Sequence, residues 1–150
     1  MIGVFVDRGY MPLAKTDKWE TPQDSFDYWN SIHRFDLDVA ALKENHKTDK
    51  WLGLDHEDPT RRDGLTAQWD GLSIWCNPPY GRGIANWVKR ANEESKTKKV
   101  VMLLPSRTDT AWFHDYVLKH DVAFLRGRLK FGNAVNSAPF GSILVVMNGK

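Results

Sequence analysis

The run Leu72-Ser73-Ile74-Trp75-Cys76-Asn77-Pro78-Pro79-Tyr80 decides how the rest of the chain is read. Its first five residues form a short apolar strand. The two prolines end it, because neither carries a backbone N–H to continue a ladder or a helix. Asn77, standing before a proline, is pushed out of the helical region as well. The strand therefore stops at Cys76 and presents the Asn77 side chain and the proline carbonyls beyond the sheet edge. These are acceptors with no local donor, and Tyr80 sets a flat ring beside them. Acceptors next to a stacking ring suit an amino group on a planar heterocycle, such as adenine. Gly81, Arg82 and Gly83 then lead into a helix.

The 150 residues allow one domain with a sizeable core and leave little room for a second. Hydrophobic residues at 41% and charged residues at 27% are globular values, which exclude a disordered chain. A single cysteine, Cys76, rules out an internal disulfide and suits a reducing compartment. No run approaches the roughly 20 apolar residues of a membrane helix. Met1–Phe5 also lacks the basic start and apolar core of a secretion signal, so a cytoplasmic protein without membrane contact is expected. The five histidines show no metal-ligand spacing, and no phosphate-binding glycine loop is present. The net charge of +2 hides an asymmetry. Residues 1–75 hold nine Lys/Arg against fourteen Asp/Glu, whereas residues 76–150 hold twelve against five. A basic second half faces a polyanion, and nucleic acid is the expected one.

Residues 1–18 read as a loosely ordered N-terminal arm and residues 19–150 as one domain. Trp19-Glu-Thr-Pro-Gln23 reads as a helix entry with Thr21 as N-cap and Pro22 in the first position. That helix carries Phe26, Trp29 and Ile32 on its inner face. Phe35–Ala41 and Trp51–Asp55 read as two strands, with an acidic loop running on to Asp63-Gly64-Leu65. Beyond the Leu72–Cys76 strand, Ile84–Glu94 is an amphipathic helix with Ile84, Trp87, Val88 and Ala91 inward. Lys99–Pro105 is apolar on both faces, as central strands are. Thr108 or Asp109 caps a third helix with Trp112, Phe113, Tyr116 and Val117 inward, and Val122–Leu125 and Ser142–Met147 are further strands. Strands alternating with helices imply an α/β fold: an open, mostly parallel twisted sheet with helices on both faces. Ligands of such sheets gather beyond the carboxyl ends of the strands. Asp38, Asp55, Asn77 and Pro105 all stand at such ends.

Taken in order, six runs resemble the small DNA N6-adenine methyltransferases of phages and prophages. They are Trp-Glu-Thr-Pro (19–22), Phe-Asp-Leu-Asp-Val-Ala-Ala (35–41), Asp-Gly-Leu (63–65), Ile-Trp-Cys-Asn-Pro-Pro-Tyr-Gly (74–81), Val-Val-Met-Leu-Leu-Pro-Ser-Arg-Thr-Asp-Thr (100–110) and Arg-Gly-Arg-Leu-Lys-Phe (126–131). The resemblance spans about residues 19–147. It implies a single-domain Rossmann-like methyltransferase fold, its last strand antiparallel at the C-terminal edge, with no separate target-recognition domain. It also implies S-adenosylmethionine as methyl donor. Thr21 and Pro22 would border the methionine end of that cofactor, and Asp38 would stand near its amino group. Asp55 would take the ribose hydroxyls, with Asp58 competing for that role. Asp63 would accept from the cofactor's adenine, with Leu65 against the ring. One departure stands out: the loop Asp38-Val39-Ala40-Ala41 has no glycine, so Ala40 and its neighbour must let the cofactor approach. Only 38 residues separate Asp38 from Asn77, which leaves room for short helices or none.

The implied catalytic group is Asn77, Pro78, Pro79 and Tyr80. The Asn77 oxygen and the Pro78 carbonyl accept the two hydrogens of a target adenine amino group while Tyr80 stacks on the base. Both bonds strengthen as positive charge grows on nitrogen. The target atom is out of reach inside a duplex, so the base must be flipped out of double-stranded DNA. Phe131 or Phe140 would close the other face of the pocket. Arg82, Arg107, Arg126, Arg128 and Lys130 are assigned to phosphates, with Arg107 alternatively holding the loop after Pro105. Three rivals stand beside this reading: methylation of RNA adenine, methylation of a protein glutamine, and a nucleic-acid-binding module with a degenerate cofactor site.

Overall fold

The computed structural model describes residues 19–132 and 137–149, so the expected N-terminal arm lies outside the described residues. The first helix, α1, runs from Gln23 to His33. Pro22, and not Thr21, holds its N-cap position; the Pro22 carbonyl accepts the Phe26 N–H at 3.0 Å, and no side chain caps the helix. A proline suits this boundary because its missing N–H would have had no helical partner. Phe26 and Trp29 face the core as expected, but Ile32 is 56% exposed. Arg34 ends the helix in the left-handed region (φ 54°), and the Asn30 side chain accepts the Phe35 N–H at 2.8 Å.

The sheet has five strands: β1 (Leu37–Asp38), β2 (Ser73–Cys76), β3 (Lys99–Pro105), β4 (Asp121–Phe124) and β5 (Ser142–Met147). Their spatial order is β1-β2-β3-β5-β4. The pairs β1–β2 and β2–β3 are parallel, and β5 runs antiparallel to both β3 and β4. The chain therefore folds as one open, mixed α/β sheet in which only β5 points against the rest. The carboxyl ends of β1, β2, β3 and β4 consequently share one edge with the start of β5. The expected C-terminal antiparallel edge exists as a pair, but β5 sits inside the sheet and β4 forms the outer strand.

The strand expected over Trp51–Asp55 reduces to one parallel bridge between Asp38 and Trp51. Gly53 explains why the chain turns there. A Cβ at Gly53 would meet the Ala41 carbonyl oxygen at 1.8 Å, so this backbone lies closer to its neighbour than any side chain allows. Between β1 and β2 the only helix is a 3-10 turn, Pro59–Arg61, as the short spacing demands. The second α-helix, α2 (Ile84–Glu94), matches the sequence reading and buries Ile84, Trp87, Val88, Ala91 and Asn92. The expected third helix is a π-helical turn, Phe113–Val117, whose Leu118 N–H reaches back to the Phe113 carbonyl at 3.1 Å. Its cap is Thr110, whose hydroxyl accepts the Phe113 N–H at 3.3 Å; Tyr116 is only half buried.

Trp75 organises the core under the β2 end. It is 1% exposed, stacks on Trp29 with centroids 5.7 Å apart, and meets Phe26 edge-on at 5.4 Å and Phe35 at 5.3 Å. Such contacts add to the burial itself. Trp75→Ala is expected to cost about 3–5 kcal/mol, read as a lower denaturant midpoint at unchanged slope. A loss under about 1 kcal/mol would show that this cluster does not support the sheet.

Candidate active site

A cleft opens at the shared carboxyl edge of the strands and encloses about 900 Å³ of empty space, part of it open to solvent. Of the residues picked from sequence for cofactor binding, Thr21, Asp38, Ala40, Asp63 and Asn77 line it, together with Pro78 and Pro79. Pro22, Asp55 and Leu65 do not. Asp55 lies on an exposed turn and accepts the Lys43 N–H at 2.9 Å. Asp58, its competitor, caps the 3-10 turn by accepting from the Thr60 N–H at 2.9 Å and hydroxyl at 2.8 Å. Those two bonds, the larger influences on it, hold the Asp58 carboxyl below the usual carboxylate range. Leu65 packs half-buried against the core, and Asp63 binds its N–H at 2.9 Å to open a turn.

Asn77 is the most constrained group in the cleft. Its Nδ2 donates to the Trp19 carbonyl and, at 3.0 Å, to the Thr21 hydroxyl. Both amide hydrogens are thereby used, and Oδ1 is left buried with no partner. An unpaired buried carbonyl costs about 1–3 kcal/mol, so this oxygen calls for a partner. Thr21 read as a helix cap from sequence; its hydroxyl serves Asn77 instead, 56 residues along the chain.

Asp38, 3% exposed, ends β1. Its Oδ2 accepts the Lys47 N–H at 2.9 Å and its Oδ1 the Ala40 N–H at 3.3 Å. Burial outweighs these bonds and pushes the carboxyl up to about 6. The glycine-free loop after it is answered from the other wall of the cleft. A Cβ at Gly64 would meet the Val39 carbonyl at 2.2 Å and the Trp87 ring at 2.5 Å, as one at Gly53 would meet Ala41. Gly53 and Gly64, both in the cleft wall, thus let the chain pack directly against the Asp38–Ala41 loop. Gly64 and Glu20 stand in the runs 63–65 and 19–22 but were given no role from sequence; Gly53, Asn45, Lys47 and Arg62 were not picked as site residues, since no local pattern marks them.

Tyr80 and Phe131 lie in the core and not in the cleft wall. Tyr80 is 3% exposed and donates its hydroxyl to the Leu103 carbonyl at 2.9 Å. Phe131 is 4% exposed. Their rings meet edge-on at 6.1 Å, and Phe140 lies 5.7 Å from Tyr80 and 5.9 Å from Phe131. Neither Tyr80 nor Phe131 offers a face to the cleft; both pack as core, because rings of this size gain more from burial than from exposure. Trp19, which packs edge-on against Phe131 and Phe140, is instead the ring in the cleft wall next to Asn77. The basic residues Arg82, Arg107, Arg126, Arg128 and Lys130 are all exposed. Arg107 donates to the Tyr80 carbonyl at 3.3 Å, which fits its alternative reading as a loop-holding residue. Among the described residues no helix is long and apolar enough to cross a membrane, and no group of His, Cys, Asp or Glu is placed to hold a metal ion.

The raised Asp38 has a consequence for stability. The native carboxyl keeps its proton up to about pH 6, whereas the unfolded one loses it near pH 4. Stability contributed at this site is therefore full below pH 4 and falls as pH rises to about 6, by at most about 3 kcal/mol. Unfolding free energies of wild type and Asp38→Asn, compared across pH 4–7, should show the variant lacking this decline. Parallel curves would place the Asp38 carboxyl in the ordinary range.

A family model for DNA N-6-adenine-methyltransferase (Dam) matches residues 9–149. A DNA N-6-adenine-methyltransferase of Escherichia phage T1 is 28% identical over 163 residues, an alignment covering 91% of this chain and 64% of that protein. One from Haemophilus phage HP1 is 35% identical over 127 residues, covering 79% of this chain and 69% of that protein. The chain thus spans a little under two thirds of the phage T1 relative. With the matched stretch covering both the Asn77 corner and the cleft around it, the chain belongs to the DNA N-6-adenine-methyltransferase (Dam) family.

Proposed function

We propose that this protein transfers a methyl group from S-adenosylmethionine to the exocyclic N6 of an adenine flipped out of double-stranded DNA, on a Rossmann-like single domain. The observation that carries this reading is the buried, partnerless Oδ1 of Asn77 at the end of β2. An amino group is the complementary donor. The family name and the two phage relatives point to adenine in DNA in preference to RNA or a protein amide.

The residues of the cleft suit the cofactor. It has a buried carboxyl at Asp38 for a cationic amine and Asp63 for hydroxyl or amino donors. When bound, S-adenosylmethionine supplies a methyl group activated on a sulfonium. The protein's own part is positioning, which is worth several kcal/mol of barrier. Asn77 Oδ1 and the Pro78 carbonyl accept the two amino hydrogens. This draws the nitrogen lone pair out of conjugation with the ring, and both bonds strengthen as charge builds on nitrogen. Tyr80 acts from beneath, its hydroxyl on Leu103 and its carbonyl on Arg107 pinning the Pro79–Tyr80 turn. Trp19 is the ring available beside the base. Arg82, Arg126, Arg128 and Lys130 follow strand ends on the same edge and meet phosphates there. A binding module with a failed cofactor site is less well supported, since the acidic candidates Asp38 and Asp63 both line the cleft beside Asn77.

Labelled methyl transfer to DNA followed by nucleoside analysis should give N6-methyladenine as the product. Asn77→Ala should lower turnover by at least about a hundredfold while leaving cofactor binding, read by thermal shift, largely intact. Unchanged turnover in that variant would remove Asn77 from the mechanism. Reversing the charge of Arg126 and Arg128 together should reduce the salt slope of DNA binding by about 2, and an unaltered slope would refute their assignment to phosphates.

A further inference from the structure

Asn77 can act as an acceptor only if its amide is turned the right way. A carboxamide is nearly symmetric in shape, so the strand alone does not decide whether Oδ1 or Nδ2 faces the cleft. The decision comes from the segment Trp19–Thr21, which sits before α1 and far from Asn77 in sequence. The Trp19 carbonyl has no hydrogen to give, so only Nδ2 can face it. The Thr21 hydroxyl, in a side chain 4% exposed, lies 3.0 Å from the same nitrogen. We propose that Trp19 and Thr21 form a clamp that holds the Asn77 amide in its acceptor orientation, making Thr21 a positioning residue for methyl transfer. The inference rests on the adenine-methyltransferase reading and extends it to a residue whose role sequence alone assigned to the cofactor.

The clamp is itself held in place. The Glu20 carbonyl accepts the Gly132 N–H at 2.8 Å, the Glu20 carboxylate accepts from the Asn45 amide at 3.2 Å, and the Trp19 ring packs edge-on against Phe131 and Phe140. Three consecutive residues therefore tie the β2 end to the loop after β1 and to the stretch between β4 and β5. Orientation of the Asn77 amide is thus coupled to docking of this whole strap. A loss of the Thr21 hydroxyl removes one of two restraints and leaves a second amide hydrogen buried without an acceptor.

Thr21→Val keeps the shape and removes the hydroxyl; Thr21→Ser restores it. Thr21→Val should lower kcat for methyl transfer by about tenfold to a hundredfold with the dissociation constant for S-adenosylmethionine nearly unchanged, and Thr21→Ser should recover most of the loss. Exchange of the Asn77 side-chain amide protons, followed by NMR in the uncomplexed protein, should be slow in wild type and faster in Thr21→Val. This arm reads the clamp even if the wild-type protein methylates no adenine, a result that would overturn only the reading of function. Unchanged amide exchange in Thr21→Val would overturn the clamp. So would a drop in cofactor affinity large enough to account for the lost turnover, which would return Thr21 to the cofactor.

Discussion

The bonds from the Asn77 amide to the Trp19 carbonyl and the Thr21 hydroxyl are the constraint on which the site depends. They join the last residue before the proline pair to a strap that precedes the first helix. Because both amide hydrogens are spent there, the oxygen is the only part of the side chain left for anything else. Burial then denies that oxygen water. The fold carries an unmet acceptor as a standing cost of the order of 1–3 kcal/mol, a cost that local packing cannot remove without moving the strand end. A donor arriving from outside recovers it. Strain of this kind, held by the surrounding structure, is how a static corner is made ready for a ligand.

Two aspartates show how burial decides what a carboxyl can do. Asp38 and Asp58 each accept two hydrogen bonds from nearby backbone or side-chain donors. At exposed Asp58 the bonds win, its carboxyl titrates low, and the residue is a cap. At Asp38 desolvation wins and the carboxyl rises to about 6. The same chemistry therefore yields a turn residue in one place and, in the other, a carboxyl whose charge a cation in the cleft would favour. Arg107, Arg126, Arg128 and Lys130 are all exposed, and Arg107 also donates to the Tyr80 carbonyl.

Much of the fold was legible because it obeys local rules. After a polar first residue, the runs Lys99–Pro105 and Ser142–Met147 are apolar, and both are strands with those bounds. Ile84–Glu94 has helical apolar spacing, and it is a helix over those residues. The prolines at 78 and 79 ended β2 as they had to. Errors arose where tertiary contact overrode a local signal. Trp51–Asp55 has strand composition but makes a single bridge, since Gly53 must pass against the Ala41 carbonyl. Thr21 has the composition of a cap, yet its hydroxyl is taken by a residue 56 positions away. Tyr80 and Phe131 read as stacking surfaces, and each is buried against other rings.

From sequence alone came the order of the elements, the position of the Asn77 corner at a strand end and the basic character of the second half. Each of these follows from periodicity, from missing backbone hydrogens or from charge, which neighbouring residues determine among themselves. The pairing of β5 between β3 and β4, the close packing of Gly53 and Gly64 on the alanine loop, and the direction in which the Asn77 amide points were settled by tertiary structure. These depend on segments far apart in the chain reaching van der Waals or hydrogen-bond contact, and no local pattern of residues encodes which distant atom will be waiting.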